Sequence, residues 1–202
     1  MTQIILVRHA ECEGNVSNCL TGRVDFKLTT KGQEMAQQLA EELKKYDIQT
    51  IYSSSSTRCV DTVKPIAKYL NIEIIKSENL MEKYFGIYDG MKWEDVNKIN
   101  PQILEDKNKY HDIIGIPEQE TTKELEKRMY DYISSISKQN EGKTILICSH
   151  GCAIFTFLNS IKYIENCEER EIYSQKNACI NILEYTNNKF EIIKIGQTDH
   201  IK

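Results

Sequence analysis

Gln3-Ile4-Ile5-Leu6-Val7 is a short apolar run rich in β-branched residues that breaks off at Arg8-His9. A run of this length and composition reads as a strand buried on both faces. Thr144-Ile145-Leu146-Ile147-Cys148 repeats the pattern and breaks off at Ser149-His150-Gly151, where a helix is expected to open. Between them, Met35, Leu39, Ala40 and Leu43 fall at helical spacing in a segment from Thr30 to Tyr46, with Thr29 or Thr30 as N-cap. Gln49 to Tyr52 reads as a second strand leading into four serines, and a helix from about Thr57 to Leu70 follows, with Pro65 as a potential kink. Ile72 to Ile75 reads as a third strand. Short and long helices are expected at Trp93–Ile99 and about Thr121–Gln139. Cys179–Tyr185 and Phe190–Ile195, joined by residues 186–189, read as a terminal hairpin. Strands alternating with helices give an α/β architecture with a largely parallel sheet.

In such sheets ligands bind outside the carboxyl ends of the strands. Three of these strands end in related chemistry: Arg8-His9, the serines leading to Arg58, and Ser149-His150-Gly151. Two arginines and two histidines would then share one rim of the sheet. Arginine supplies a planar fork of donors suited to phosphate, and histidine serves as nucleophile or proton carrier. Each piece alone has a plainer reading: a solvated strand exit, an exposed helix residue, a helix N-cap. Their coincidence at three strand ends is what points to a site.

The bulk numbers narrow the field. A net charge of -4 with no dense Lys/Arg stripe argues against nucleic-acid binding. The N-terminus lacks the basic start and apolar core of a signal peptide, and no apolar run approaches the ~18 residues of a membrane helix. A cytoplasmic protein with no membrane partner is the expectation. The seven cysteines include no Cys-x-x-Cys pair, so reduced thiols used as small core residues are expected rather than a zinc or dithiol site. Cys148 and Cys152, four apart beside His150, are read as buried structural thiols.

Arg8-His9-Ala10-Glu11, with Asn15 six residues after the histidine, resembles the Arg-His-Gly-Glu-Thr-x-x-Asn signature of histidine phosphatases, the phosphoglycerate-mutase-like superfamily. The resemblance continues through Gly22, Asp25, Leu28-Thr29 and Gly32. Ser53-Ser54 with Arg58 and Thr62 is similar to the second arginine motif, and Leu80-Met81-Glu82 with Phe85-Gly86 and Asp89-Gly90 to the acid-bearing segment. Cys148-Ser149-His150-Gly151 is similar to the second-histidine motif. The departures are Ala10 for the usual Gly, Cys12 for Thr, and Ser56 for an apolar residue before Arg58.

The resemblance implies a three-layer α/β/α sandwich with a mostly parallel central sheet. It also implies a single domain over residues 1–202, with 83–118 as a variable insertion covering the substrate. It further implies a metal-independent phosphomonoester hydrolase with no cofactor, acting on a small phosphorylated metabolite through a phosphohistidine. The catalytic residues would be His9 as nucleophile, Glu82 as general acid and base, and His150, Arg8 and Arg58. The substrate would be bound by Arg8, Asn15, Gly22, Arg58, His150 and Gly151. Two readings stand beside it. One is a cofactor-dependent phosphoglycerate mutase, disfavoured because residues 83–118 contain no arginine. The other is a non-catalytic module holding phosphorylated ligands, which would need neither His9 nor Glu82.

Four other signals carry less. Gly142-Lys143-Thr144 looks like the end of a phosphate-binding loop, but it leads into a strand, so a helix C-cap is expected. His111 and His200 are expected at the surface. Trp93, Tyr84 and Tyr88 either line a substrate pocket or pack the irregular segment. Arg23 either adds a phosphate contact or is exposed.

Overall fold

Side-chain alternation along two neighbouring strands sets the layers. The computed structural model describes residues 1–103, 115–162 and 175–202. In chain order its elements are β1 (Thr2–Arg8), α1 (Glu13–Val16), α2 (Thr30–Leu43), β2 (Ile48–Ser54), α3 (Thr57–Leu70), β3 (Ile74–Ser77), α4 (Trp93–Ile99), α5 (Thr122–Gln139), β4 (Thr144–Ser149), α6 (Gly151–Ile161), β5 (Ile180–Thr186) and β6 (Lys189–Gln197). Short 3-10 turns lie at Glu78–Leu80 and Gly86–Tyr88. Successive residues of a strand point to opposite faces. Ile5 and Val7 of β1, with Leu146 and Cys148 of β4, therefore join the core under α2 and α3. Ile4 and Leu6, with Ile145 and Ile147, join the core under α5 and α6. Helices on both faces make the three layers.

The sheet runs β3-β2-β4-β1-β5-β6. The pairs β1/β4, β2/β4 and β2/β3 are parallel, while β5 is antiparallel to both β1 and β6. A mostly parallel sheet with an antiparallel hairpin at one edge matches the expected class.

Local chemistry explains the ends. Thr29 caps α2 by accepting from Gly32 N at 2.9 Å, and Thr121 and Glu124 form a capping box on α5. Helix α3 runs through Pro65 without ending. It stops at Asn71, whose left-handed φ of 54° turns the chain. Ile72 N still bonds Ala67 O, and pairing with β2 begins only at Ile74. The third strand is therefore Ile74–Ser77, not the expected Ile72–Ile75.

The terminal hairpin is tighter than expected. Pairing continues to Thr186 and Lys189, leaving only Asn187-Asn188 in the turn, both at positive φ. The C-cap of α5 is Asn140 rather than the expected Gly142, which sits two residues further on at φ 82° and turns the chain towards β4. A third apolar cluster of Leu20, Phe85, Tyr88, Val96, Ile103 and Ile116 packs the irregular segment. His111 and Cys167 lie outside the described residues. No helix among the described residues is long and apolar enough to cross a membrane.

Candidate active site

The register of two parallel strands brings the histidines together. Arg8 pairs with Ser149, so His9 and His150 are the next residues off the same edge. Their rings meet edge-on with centroids 5.3 Å apart. On the other side of β4, Ser53 of β2 pairs with Cys148, and Ser54 reaches His150. Helix α3 starts three residues later and carries Arg58. The rim expected from the three strand ends is the one observed.

His9 is buried and its Nδ1 lies 2.7 Å from the Ala10 carbonyl. A carbonyl only accepts, so Nδ1 carries the hydrogen and Nε2 keeps its lone pair. Burial, with the Arg8 and Arg58 guanidiniums beside it, holds the imidazole well below its ordinary value. The neutral ring is therefore the stable form near pH 7.

Arg58 is fully buried. Its Nη1 donates to Val24 O at 2.8 Å and its Nη2 to Gly22 O at 2.6 Å. A Cβ at Gly22 would stand 1.7 Å from Asp89 Oδ1 and 2.8 Å from Lys83 O, so only glycine lets this carbonyl reach Arg58. Asp89 fixes the same loop by accepting from Arg23 N and Val24 N. Arg8 donates Nη1 to Gln175 O and packs on Gly151, where a Cβ would come within 3.2 Å of Arg8 Nε. Among the described residues, the buried Nε of Arg8 and of Arg58 has no partner. Buried donors are rarely left so, and two on adjacent guanidiniums suit an anion.

Asn15 is oriented by a residue that the sequence reading missed. Its Oδ1 accepts from Cys12 N at 3.1 Å and from Asn177 Nδ2 at 3.1 Å. Asn177 Nδ2 also bonds the His9 carbonyl at 3.1 Å. With Oδ1 engaged, the amide group of Asn15 is the end left for a ligand. Asn177→Ala is expected to free the Asn15 amide to flip and to lower kcat/KM about tenfold, mainly through KM, for the loss of about one hydrogen bond. Steady-state kinetics beside a thermal melt checks this, and an unchanged KM would remove Asn177 from the site.

Glu82 is buried, with three backbone N–H groups on its carboxyl. Oε1 accepts from Lys83 N and Ala153 N, both at 2.8 Å, and Oε2 from Cys152 N at 3.0 Å. Two of these donors are the first turn of α6. Burial pushes the carboxyl above its ordinary value, against those N–H groups and the nearby arginines, which hold it down. Lys83, the immediate neighbour, sends its Nζ to Thr122 Oγ1 at 2.9 Å. Arg128 grips Glu120 with two bonds and donates to the Glu82 carbonyl at 3.0 Å, which holds the segment in place.

A cleft of about 440 Å³ opens over these groups, lined by Arg8, Asn15, Glu82 and Gly151 together with Leu20, Phe85, Trp93 and Phe155. His9, His150, Arg58 and Gly22 lie outside its wall, the two histidines and Arg58 being buried beside it. Gly22 acts there on Arg58 through its carbonyl. Trp93 is thus a cleft residue, Tyr88 a packing residue. Tyr84 lies under Arg23, whose charge turns to Glu120 at 3.6 Å.

Cysteine placement divides. Cys12, Cys59, Cys148 and Cys179 are buried, as expected. Cys152 is not: it lines the cleft, as does Cys19, because its backbone must face Glu82. His200 is not a free surface residue either. Its Nε2 docks on Ala178 O at 3.0 Å.

Sequence comparison agrees with this geometry. A family model described as "Histidine phosphatase superfamily (branch 1)" matches residues 4–198. An "Uncharacterized phosphatase PhoE" of Bacillus subtilis is 28% identical over 203 residues, covering 100% of this chain and 97% of that protein. A "Probable phosphoglycerate mutase GpmB" of Proteus mirabilis is 30% identical over 211 residues, covering 100% and 95%. The crystal structure of a phosphoserine phosphatase from Entamoeba histolytica in complex with 3-phosphoglyceric acid superposes with a TM-score of 0.85 at 26% identity, covering 100% of both chains.

Proposed function

The chain belongs to the histidine phosphatase superfamily, and from that premise we propose that it hydrolyses phosphomonoesters of small metabolites, without metal, through a phosphohistidine on His9. The observation that carries this reading is the His9 ring. Its Nδ1 is tied to Ala10 O, so a neutral Nε2 remains beside two guanidiniums.

In the proposed cycle, His9 Nε2 forms a bond to phosphorus as the ester P–O bond breaks. Arg8, Arg58, Asn15 and His150 hold the three non-bridging oxygens, where charge is carried during transfer. The unpartnered Nε groups of the two arginines fit that task. Glu82 gives its proton to the leaving oxygen and, as carboxylate, takes one from the incoming water. That water attacks phosphorus, the N–P bond breaks, and inorganic phosphate leaves. Leu20, Phe85, Trp93 and Phe155 would receive the carbon skeleton of the ester.

The cation set supplies the charge that a divalent ion supplies in other phosphoryl-transfer sites. Saturating chelator is therefore expected to leave phosphate release from a phosphomonoester panel nearly unchanged. A strict, restorable requirement for a divalent ion would overturn the mechanism. The relative called a probable phosphoglycerate mutase makes transfer the second reading. Interconversion of 3- and 2-phosphoglycerate faster than phosphate release would decide for it.

A further inference from the structure

If the site above hydrolyses phosphate esters, His150 has to donate a hydrogen bond while uncharged. Burial together with Arg58, His9 and Arg8 holds its imidazole well below the ordinary value. Near pH 7 the ring carries one hydrogen, on Nδ1 or on Nε2, and its neighbours choose.

Nε2 lies 2.8 Å from Ser54 Oγ. Either group could donate in that pair, so the surroundings of the serine decide the direction. The hydroxyl has one hydrogen, and the acceptors near it are His150 Nε2, Met81 Sδ at 2.9 Å, Ser56 Oγ at 3.4 Å and the Cys59 thiol sulfur, itself a weak acceptor. A thioether is a weak acceptor, and the Ser56 contact is long. Ser56 N also approaches Ser54 Oγ at 3.4 Å, using an acceptor position on the oxygen. The imidazole nitrogen is thus the best place for the serine hydrogen. Cys59 Sγ lies 3.5 Å from Nε2 and 3.9 Å from Nδ1, but its hydrogen has the Ser149 carbonyl at 3.4 Å, so it gives a proton to neither nitrogen.

We propose that Ser54 is a positioning residue that fixes His150 as its Nδ1–H tautomer, so that the neutral ring gives a hydrogen to a phosphoryl oxygen. The other tautomer would turn a lone pair towards that anionic oxygen. This assigns a purpose to the serine that ends β2. It also gives a role to a fully buried hydroxyl beside the buried Ile51 and Tyr52 of the same strand.

Selective ¹⁵N labelling of the four histidines makes the tautomer visible directly. The His150 signals are assigned by their loss in His150→Asn. In the wild-type protein near pH 7 the proton is expected on Nδ1, with Nε2 bare; a proton on Nε2 would overturn the proposal. Ser54→Ala is expected to move it wholly or partly to Nε2 and to lower kcat about tenfold at pH 8, the weight of about one hydrogen bond.

The deficit relative to wild type should shrink as pH falls. Charged imidazolium donates from both nitrogens, so tautomer choice then loses its effect. The charged groups acting on the ring are Arg8 of β1, His9 just beyond it, Arg58 of α3 and Arg128 of α5; Cys59 of α3 touches the ring, Cys148 of β4 bonds Cys59, and Glu82 accepts from Ala153 N in the helix that follows His150. All are common to both enzymes, so the ratio removes their titrations, that of His9 included. In a His150→Ala background, Ser54→Ala should cost nothing further. A loss that is the same at every pH and adds to His150→Ala would make Ser54 a mere prop and overturn the proposal. The spectrum needs no substrate, so Nδ1–H in a wild-type protein without phosphatase activity would overturn the hydrolase reading instead.

Discussion

His9→Ala is expected to lose turnover by roughly 10⁴- to 10⁶-fold, the scale seen when a nucleophile is removed from an otherwise intact site. The fold should survive. The His9 backbone keeps its bond to Ser149 O, and its carbonyl keeps Ala178 N and Asn177 Nδ2. What disappears is the ring and its bond to Ala10 O, a loss on the order of 1–3 kcal/mol for one stranded buried acceptor. That shifts a melting transition by several degrees without abolishing it. Arg8, Arg58 and Asn15 do not depend on the ring for their own hydrogen bonds. The variant should therefore still bind inorganic phosphate by calorimetry while turning nothing over. Intact-mass spectra after rapid, acid-free quenching should show a phosphate adduct on the wild-type protein and none on the variant. Substantial activity in His9→Ala would remove the nucleophile from the proposal and the mechanism with it.

Much of the site was legible because it rests on strand ends. Ile4–Val7 and Ile145–Cys148 are apolar runs whose stopping points are sharp. A polar residue at such a point has to sit at the sheet edge, so His9 and His150 could be placed without knowing which strands touch. Arg58 followed from a helix that begins where β2 ends. The adjacency itself was not legible. Nothing in residues 3–9 says that β4, some 140 positions later, lies beside β1, and the order β3-β2-β4-β1-β5-β6 depends on packing across the whole chain.

The residues that orient the site stayed hidden for a related reason. Asn177 matters because one amide bridges the His9 carbonyl and Asn15 Oδ1. Gln175 matters through its backbone carbonyl, which takes Arg8. Neither carries a periodicity or spacing signal, and an asparagine in a loop is more often simply a turn residue. From the sequence Cys152, four residues after Cys148 and beside His150, reads as a buried structural thiol. Its exposure follows from Glu82, which draws the first turn of α6 towards the cleft. The late start of β3 is of the same kind, since it takes the left-handed turn at Asn71 to delay pairing to Ile74.

Glu82→Gln is expected to slow phosphohistidine formation by about 10²- to 10⁴-fold with alkyl phosphates and far less with p-nitrophenyl phosphate. An alkoxide is a strong base and leaves poorly unless protonated as the bond breaks, whereas a nitrophenolate leaves as the anion. The pH dependence carries the same signature. Burial raises the Glu82 carboxyl, so it stays protonated further up the pH scale than an exposed glutamate and is lost as acid when pH rises through that raised value. Burial and the two arginines lower His9, so the nucleophile stays neutral further down the scale and is lost when pH falls through that lowered value. The window in which both groups hold the required form therefore lies on the acid side. With alkyl phosphates the alkaline limb should belong to Glu82, and it should vanish with the nitrophenyl ester. The amide of glutamine can keep some of the three backbone N–H bonds on its oxygen but must turn its NH₂ against the others, so part of any loss will be structural. That part is the same for both esters. Single-turnover bursts separate the two, because they report formation of phosphohistidine before its hydrolysis, where the missing base also acts. Equal burst losses on the two substrates would make Glu82 a scaffold for the α6 N-terminus and leave the leaving group without an acid.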